Sequence, residues 1–162
     1  MFSKPIKRRR TGMTLLAALV LCAVKPALAV PSTFSTTIGH RLLCLNQQDS
    51  AYFHGYLTEA FGPAYKREGG AYWFKAGANL WGIPVSEIIV SDGGDSMNFL
   101  GAIMDTTPEK LDEAIGASTG IRHKKADGSA YPVRESSPGS KIVYFKDKAK
   151  IYCAKSRYAP PN

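Results

Sequence analysis

The sequence predicts an α+β fold: an antiparallel sheet with two short helices packed on it, in a single domain closed by one disulfide. Three observations predict it. An apolar helical stripe runs directly into a block of β-type residues between Asp49 and Asp92, a second helix start stands at Thr107-Pro108, and Cys44 and Cys153 bracket both. The stretch from Asp49 to Asp92 carries nine of the 17 aromatic residues in the chain, which makes it the main source of a core. The 162-residue length, with 44% hydrophobic and 21% charged residues, suits one globular domain.

Residues 1–29 read as a secretory signal peptide. Lys4, Lys7, Arg8, Arg9 and Arg10 precede an apolar run from Met13 to Val24, and Ala27-Leu28-Ala29 supplies a small-x-small cleavage site. As a helix that run would span about 18 Å against a hydrocarbon layer of about 30 Å, so no transmembrane anchor is expected after cleavage. Leu21 before Cys22 argues against a lipid-anchoring site. The expectation is a periplasmic or secreted protein starting near Val30. Six of the 21 basic residues and none of the 13 acidic ones precede Val30, which leaves the mature chain at +2. The high isoelectric point therefore reflects the signal segment, and no nucleic-acid partner is expected.

Residues 30–48 read as an N-terminal arm, polar and β-branched from Val30 to Gly39, followed by a short segment bearing Cys44. The main α+β domain covers 49–154. Asp49 caps a helix with Tyr52, Phe53, Tyr56, Leu57, Ala60 and Phe61 on its apolar stripe, stopped by Gly62-Pro63. Strands follow from Ala71, with a turn at Gly77-Ala78-Asn79 and a break at Pro84 before VSEIIVS. Turn residues Ser91 to Ser96 then lead into MNFLGAIM, Met97 to Met104, as a hairpin. Thr107 caps the second helix, Pro108 takes its first position, and Gly116 is expected to close it. Residues 118–140 read either as a long loop or as a polar hairpin turned at Asp127-Gly128 and anchored by Ile121, Ala130, Tyr131 and Val133. KIVYF and AKIYCA form a last hairpin, and residues 155–162 a flexible tail.

Oxidising export predicts a Cys44–Cys153 disulfide, since no close cysteine pair suggests zinc or redox chemistry. The aspartates Asp92 and Asp95 lack the spacing of a calcium loop, and no cofactor is expected. From Lys141 onward the chain carries +5, and Arg122, His123, Lys124 and Lys125 form a second basic cluster. Arg122, His123, Lys124, Lys125, Lys146 and Lys148 are thus the candidate binding residues, for a protein partner or an anionic envelope component. No nucleophile elbow or metalloprotease motif organises the histidines. These features favour a small exported binding protein, such as an inhibitor or an accessory or envelope-associated factor, over an enzyme. The alternative is a small hydrolase of envelope polymers using His54 or His123 as base. That reading requires a cleft holding the histidine, with an acid or hydroxyl within hydrogen-bond reach.

Overall fold

The computed structural model describes residues 29–94 and 96–156. The signal reading through Leu28, the tail reading from Arg157 onward and the turn residue Asp95 lie outside the described residues, whereas Lys155 and Ser156, expected in that tail, pair with Asn98 and Met97 at the end of the last strand. Three helices and eight strands follow in the order α1 (Phe34–Leu42), α2 (Ser50–Phe61), β1 (Lys66–Glu68), β2 (Ala71–Leu80), β3 (Ile83–Ser91), β4 (Met97–Met104), α3 (Pro108–Thr119), β5 (His123–Lys125), β6 (Arg134–Ser136), β7 (Lys141–Phe145) and β8 (Lys148–Ser156). All strands join one antiparallel sheet in the order β1-β2-β3-β4-β8-β7-β6-β5.

The strand order divides the sheet into two units of one helix and four strands, α2-β1-β2-β3-β4 and α3-β5-β6-β7-β8. Their last strands, β4 and β8, meet antiparallel at the middle. A two-fold axis through that seam, perpendicular to the sheet, would exchange the two strand sets and keep both helices on one face.

The predicted sheet and disulfide are present, but among the described residues there are three helices rather than two. The expected N-terminal arm contains α1, because Phe34, Ile38 and Leu42 fall at i, i+4 and i+8 and all are buried. Serine and threonine between them favour other conformations locally, and packing of that stripe overrides them.

The turn expected at Gly77-Ala78-Asn79 is instead strand. A register shift between Lys75 and Ala78 absorbs the irregularity, and β2 continues to Leu80. The chain reverses at Trp81-Gly82, both at positive φ (52° and 78°). Such a two-residue turn ordinarily selects Asn-Gly. Trp81 is held there by tertiary packing: its ring lies against α1, and a Cβ on Gly39 would stand 3.5 Å from it. Pro84 lies within β3 opposite Asn79.

Helix α3 starts as predicted, with the Thr107 hydroxyl accepting from the Lys110 amide at 3.5 Å and Pro108 in its first turn. It runs past Gly116 and closes at Gly120 in the left-handed region (φ 76°). At Gly116 the Arg122 guanidinium folds back over the helix, where a Cβ would meet Nε at 2.6 Å. Residues 118–140 form the hairpin rather than the loop, since β5 pairs with β6. Asp127 turns it by accepting from the Ser129 and Val133 amides, while the proposed anchors Ala130 and Tyr131 are exposed.

The helices cover one face only. Phe34, Ile38 and Leu42 of α1, Phe53 and Leu57 of α2, and Leu111 and Ile115 of α3 pack with Phe74, Ile88, Leu100, Ile142 and Ile151 of the sheet. A second cluster, Ala71, Ile89 and Ile103 with Trp73, Phe99 and Phe145, consists entirely of strand residues. It marks the opposite face, on which no described helix packs.

Candidate functional site

Candidate chemistry lies in three places: a cleft holding His54, a buried network holding His123, and the open face of the sheet. The cleft, of about 690 Å³, lies where the first turn of α2 meets the end of β3 and the start of β4. It is lined by Asp49, Ser50, Ala51, His54, Tyr72, Ser91, Asp92, Gly93 and Asn98. Asp49 builds its rim by capping α2, accepting from the Tyr52 amide at 2.9 Å. The His54 ring rests on Tyr72 at 4.4 Å between centroids and meets Phe74 edge-on at 5.7 Å. The Arg67 Nε donates to Asp92 at 2.8 Å, and the Gly94 amide donates to the other oxygen. These contacts hold the Asp92 carboxyl below its usual range, the amide contributing most.

A polar chain runs from the cleft floor into the protein. The Phe99 amide donates to Ser91 Oγ, Ser91 and Ser50 share a hydrogen bond, and Ser50 Oγ donates to Asn98 Oδ1 at 2.6 Å. Arg41 meets the same oxygen from behind at 3.5 Å and donates to the Asn98 carbonyl at 3.2 Å. Its other amino group reaches the Asn46 carbonyl at 3.2 Å and Cys153 Sγ at 3.6 Å. Arg41 is 1% exposed and has no carboxylate partner among the described residues. Burial lowers its pKa. Arg41 and Asn98 escaped the sequence reading; the one usable signal was an arginine inside the apolar run RLLCL.

The disulfide joins the end of α1 to the seam strand β8, with S–S 2.00 Å and Cα atoms 5.3 Å apart. The predicted topology, Cys44 packed near the last strand, is thereby present.

The sequence groups His123 with Arg122, Lys124 and Lys125 as a basic binding cluster. Its side chain is fully buried instead, turned toward α3. The Asp112 carboxylate accepts from the His123 amide at 2.7 Å and lies 3.3 Å from Nδ1, and Nε2 lies 2.8 Å from Ser140 Oγ. Ser140 in turn contacts Ser136 Oγ at 2.7 Å. A proton on Nδ1, given to Asp112, leaves Nε2 to accept from Ser140. Desolvation lowers the His123 pKa, opposed by Asp112 and assisted by Arg134. The trio has the residue types of an acid-base relay, but Ser140 is 0% exposed and Ser136 4%. A substrate cannot reach the hydroxyl, so the geometry is that of a latch between α3 and the β6–β7 turn.

The two basic groups are separate. Lys124 and Lys125 lie at the β5 edge and Arg122 folds over α3 just before it, whereas Lys146 and Lys148 lie at the far end of β7, around the β7–β8 turn. Lys148 pairs with Asp105. Lys124 stands in register with Glu135 and Lys141. Among the described residues no cluster of histidine, cysteine and carboxylate groups suits a metal ion, and no helix is long and apolar enough to cross a membrane. The chain matches no family model, no curated protein and no solved structure.

Proposed function

We propose that this chain is an exported, non-catalytic binding protein whose partner surface is the open face of the sheet. The observation that carries the reading is Lys150. It projects from the seam strand of that face, has no ion-pair partner among the described residues, and is held below its usual pKa by burial. A desolvated cation without a counter-ion on an uncovered surface favours docking of a carboxylate.

Its surroundings fit a protein rather than a polyanion. One rung of the face runs Lys66, Trp73, Ile89, Gly101, Tyr152 and Lys141; the next runs Lys75, Glu87, Ile103, Lys150 and Val143. Lys66 lies 4.0 Å over the Trp73 ring and Lys75 lies 4.6 Å over Tyr65. A groove of about 330 Å³ between Lys75, Glu87, Ile103, Phe145, Lys146 and Lys148 gives the face relief. Partly buried aromatic rings interleaved with lysines and carboxylates have the composition of a protein interface core and rim. A simple anionic polymer would instead favour an unbroken array of cations. The export signal read from the sequence and the disulfide support an extracytoplasmic site of action.

The test is capture from an envelope extract by the oxidised protein, followed by reconstitution with the purified partner. The expected result is a stoichiometric acidic protein, released by salt and lost with Lys150→Glu and Lys146→Glu at unchanged melting temperature. A partner that survives both charge reversals, or retention of a polymer alone, overturns the reading.

A further inference from the structure

The cleft at the start of α2 has a counterpart in the other unit of the fold. There the first turn of α3 meets the β7–β8 turn in a smaller depression of about 390 Å³, lined by Asp105, Thr106, Thr107, Lys110, Asp147 and Lys148. The Lys148–Asp105 ion pair crosses that depression and uses its charges internally. In the first unit the corresponding place is wider, about 690 Å³, and bordered by hydroxyls, an amide and two rings.

From this contrast we infer that the α2 cleft binds a neutral saccharide, at a site separate from the open sheet face. Its charges cancel. The carboxylates are Asp49 and Asp92; Arg67 neutralises Asp92, and buried Arg41 stands directly behind Asn98. An anion would face the unpaired Asp49 carboxylate and a cation would face Arg41 and the helix start, whereas an uncharged polyol meets neither cost.

Donors and acceptors are both available. Asn98 Oδ1 is pinned by Ser50 and Arg41, which fixes the amide, and Nδ2 meets no acceptor among the described residues. The first-turn amides of Ser50 and Ala51 have no partner within the helix. The Asp49 oxygen not used in capping is an acceptor. Sugar hydroxyls both donate and accept, and so match this mixture better than a ligand that only accepts. The rings of Tyr72 and His54 give the apolar side on which the C–H groups of a pyranose can pack.

The test uses the oxidised protein alone, labelled with nitrogen-15 and titrated at millimolar concentration with chitotetraose and, separately, maltotetraose. The expected result is that one of them shifts the amides of Ser50, Ala51, Tyr72, Gly93 and Asn98. Asn98→Asp keeps an oxygen on Arg41 and removes the side-chain donors offered to the sugar, so binding weakens about tenfold or more while the melting temperature holds or rises. Ala51→Glu, at an exposed first-turn position where a carboxylate suits the helix, fills the cleft and gives the same loss. Shifts from neither sugar, shifts confined to other residues, or wild-type binding by both variants overturn the inference. No protein partner enters this assay, so its outcome is separable from that of the sheet-face reading.

Discussion

His123 shows how one side chain can be visible in a sequence and misplaced by it. Three cationic neighbours make the segment RHKK look like a solvated cluster, yet strand alternation sends His123 to the face opposite Lys124. The consequence is a pH dependence of stability. In the folded protein burial depresses the His123 pKa from its ordinary 6.5. The unfolded chain therefore binds a proton that the native state resists, and stability falls as pH drops through about 6.5 toward the folded value. The groups facing the ring set the sign: Asp112 on α3 favours the proton, Arg134 on β6 opposes it, and Ser140 and Ser136 are uncharged. Melting curves between about pH 7 and pH 5 should show a progressive fall in melting temperature. His123→Gln should flatten that window, and an equal slope in the variant would show that the titrating group lies elsewhere. Arg41 was similarly hard to read, because only the tertiary fold reveals that its hydrogen bonds go to carbonyls rather than to a carboxylate.

Among the elements, the capped helices and the continuous hairpins were the legible ones, because their signals are local. Asp49 and Thr107 cap where expected, and KIVYF with AKIYCA pairs around Lys146-Asp147. Helix α1 and the Trp81-Gly82 turn were not legible, because each depends on the other: the ring that stabilises an unfavourable turn residue packs on the helix that weak local propensity left unmarked. The cleft shares this difficulty, since Asp49, Tyr72 and Asn98 come from three elements. Helix α3 is tied down by a contact that can be titrated. Glu109 accepts from Tyr144 Oη at 2.6 Å and Arg134 at 2.8 Å, which brings its pKa from 4.5 to about 2, the tyrosine hydrogen bond contributing most. A depressed carboxylate stabilises above its unfolded pKa and loses that contribution as pH falls from about 4.5 to about 2. This window is separate from that of His123. Glu109→Gln should cost roughly 1 kcal/mol at neutral pH after allowance for solvent screening. It should also remove the corresponding acid step from denaturation curves; a step of undiminished size would assign it to other carboxylates.

At the scale of the molecule, the two units are joined through the β4–β8 ladder, and the disulfide fastens α1 to that same seam. The sequence revealed the helix-strand-helix-strand order but not the seam, because the pairing of β4 with β8 is set by long-range contacts rather than by local pattern. Cys44 and Cys153 are 109 positions apart, so the crosslink restricts most of the unfolded mature chain. In the loop-entropy description this contributes about 4 to 5 kcal/mol, a large share of the roughly 5 to 15 kcal/mol that stabilises a typical domain. Paired Cys44→Ser and Cys153→Ser substitution should therefore lower the urea midpoint strongly. It should also raise the dependence of stability on urea, because an uncrosslinked denatured chain exposes more surface. Local strain relief would predict a different pattern, a changed midpoint with no change in that dependence. Coincident curves for the oxidised protein and the double variant would mean that the ladder and the α1 stripe hold the seam without the covalent link. A lower midpoint with a steeper slope would instead assign the disulfide its main role in the unfolded state, consistent with a seam already buried by Leu42, Leu100 and Ile151.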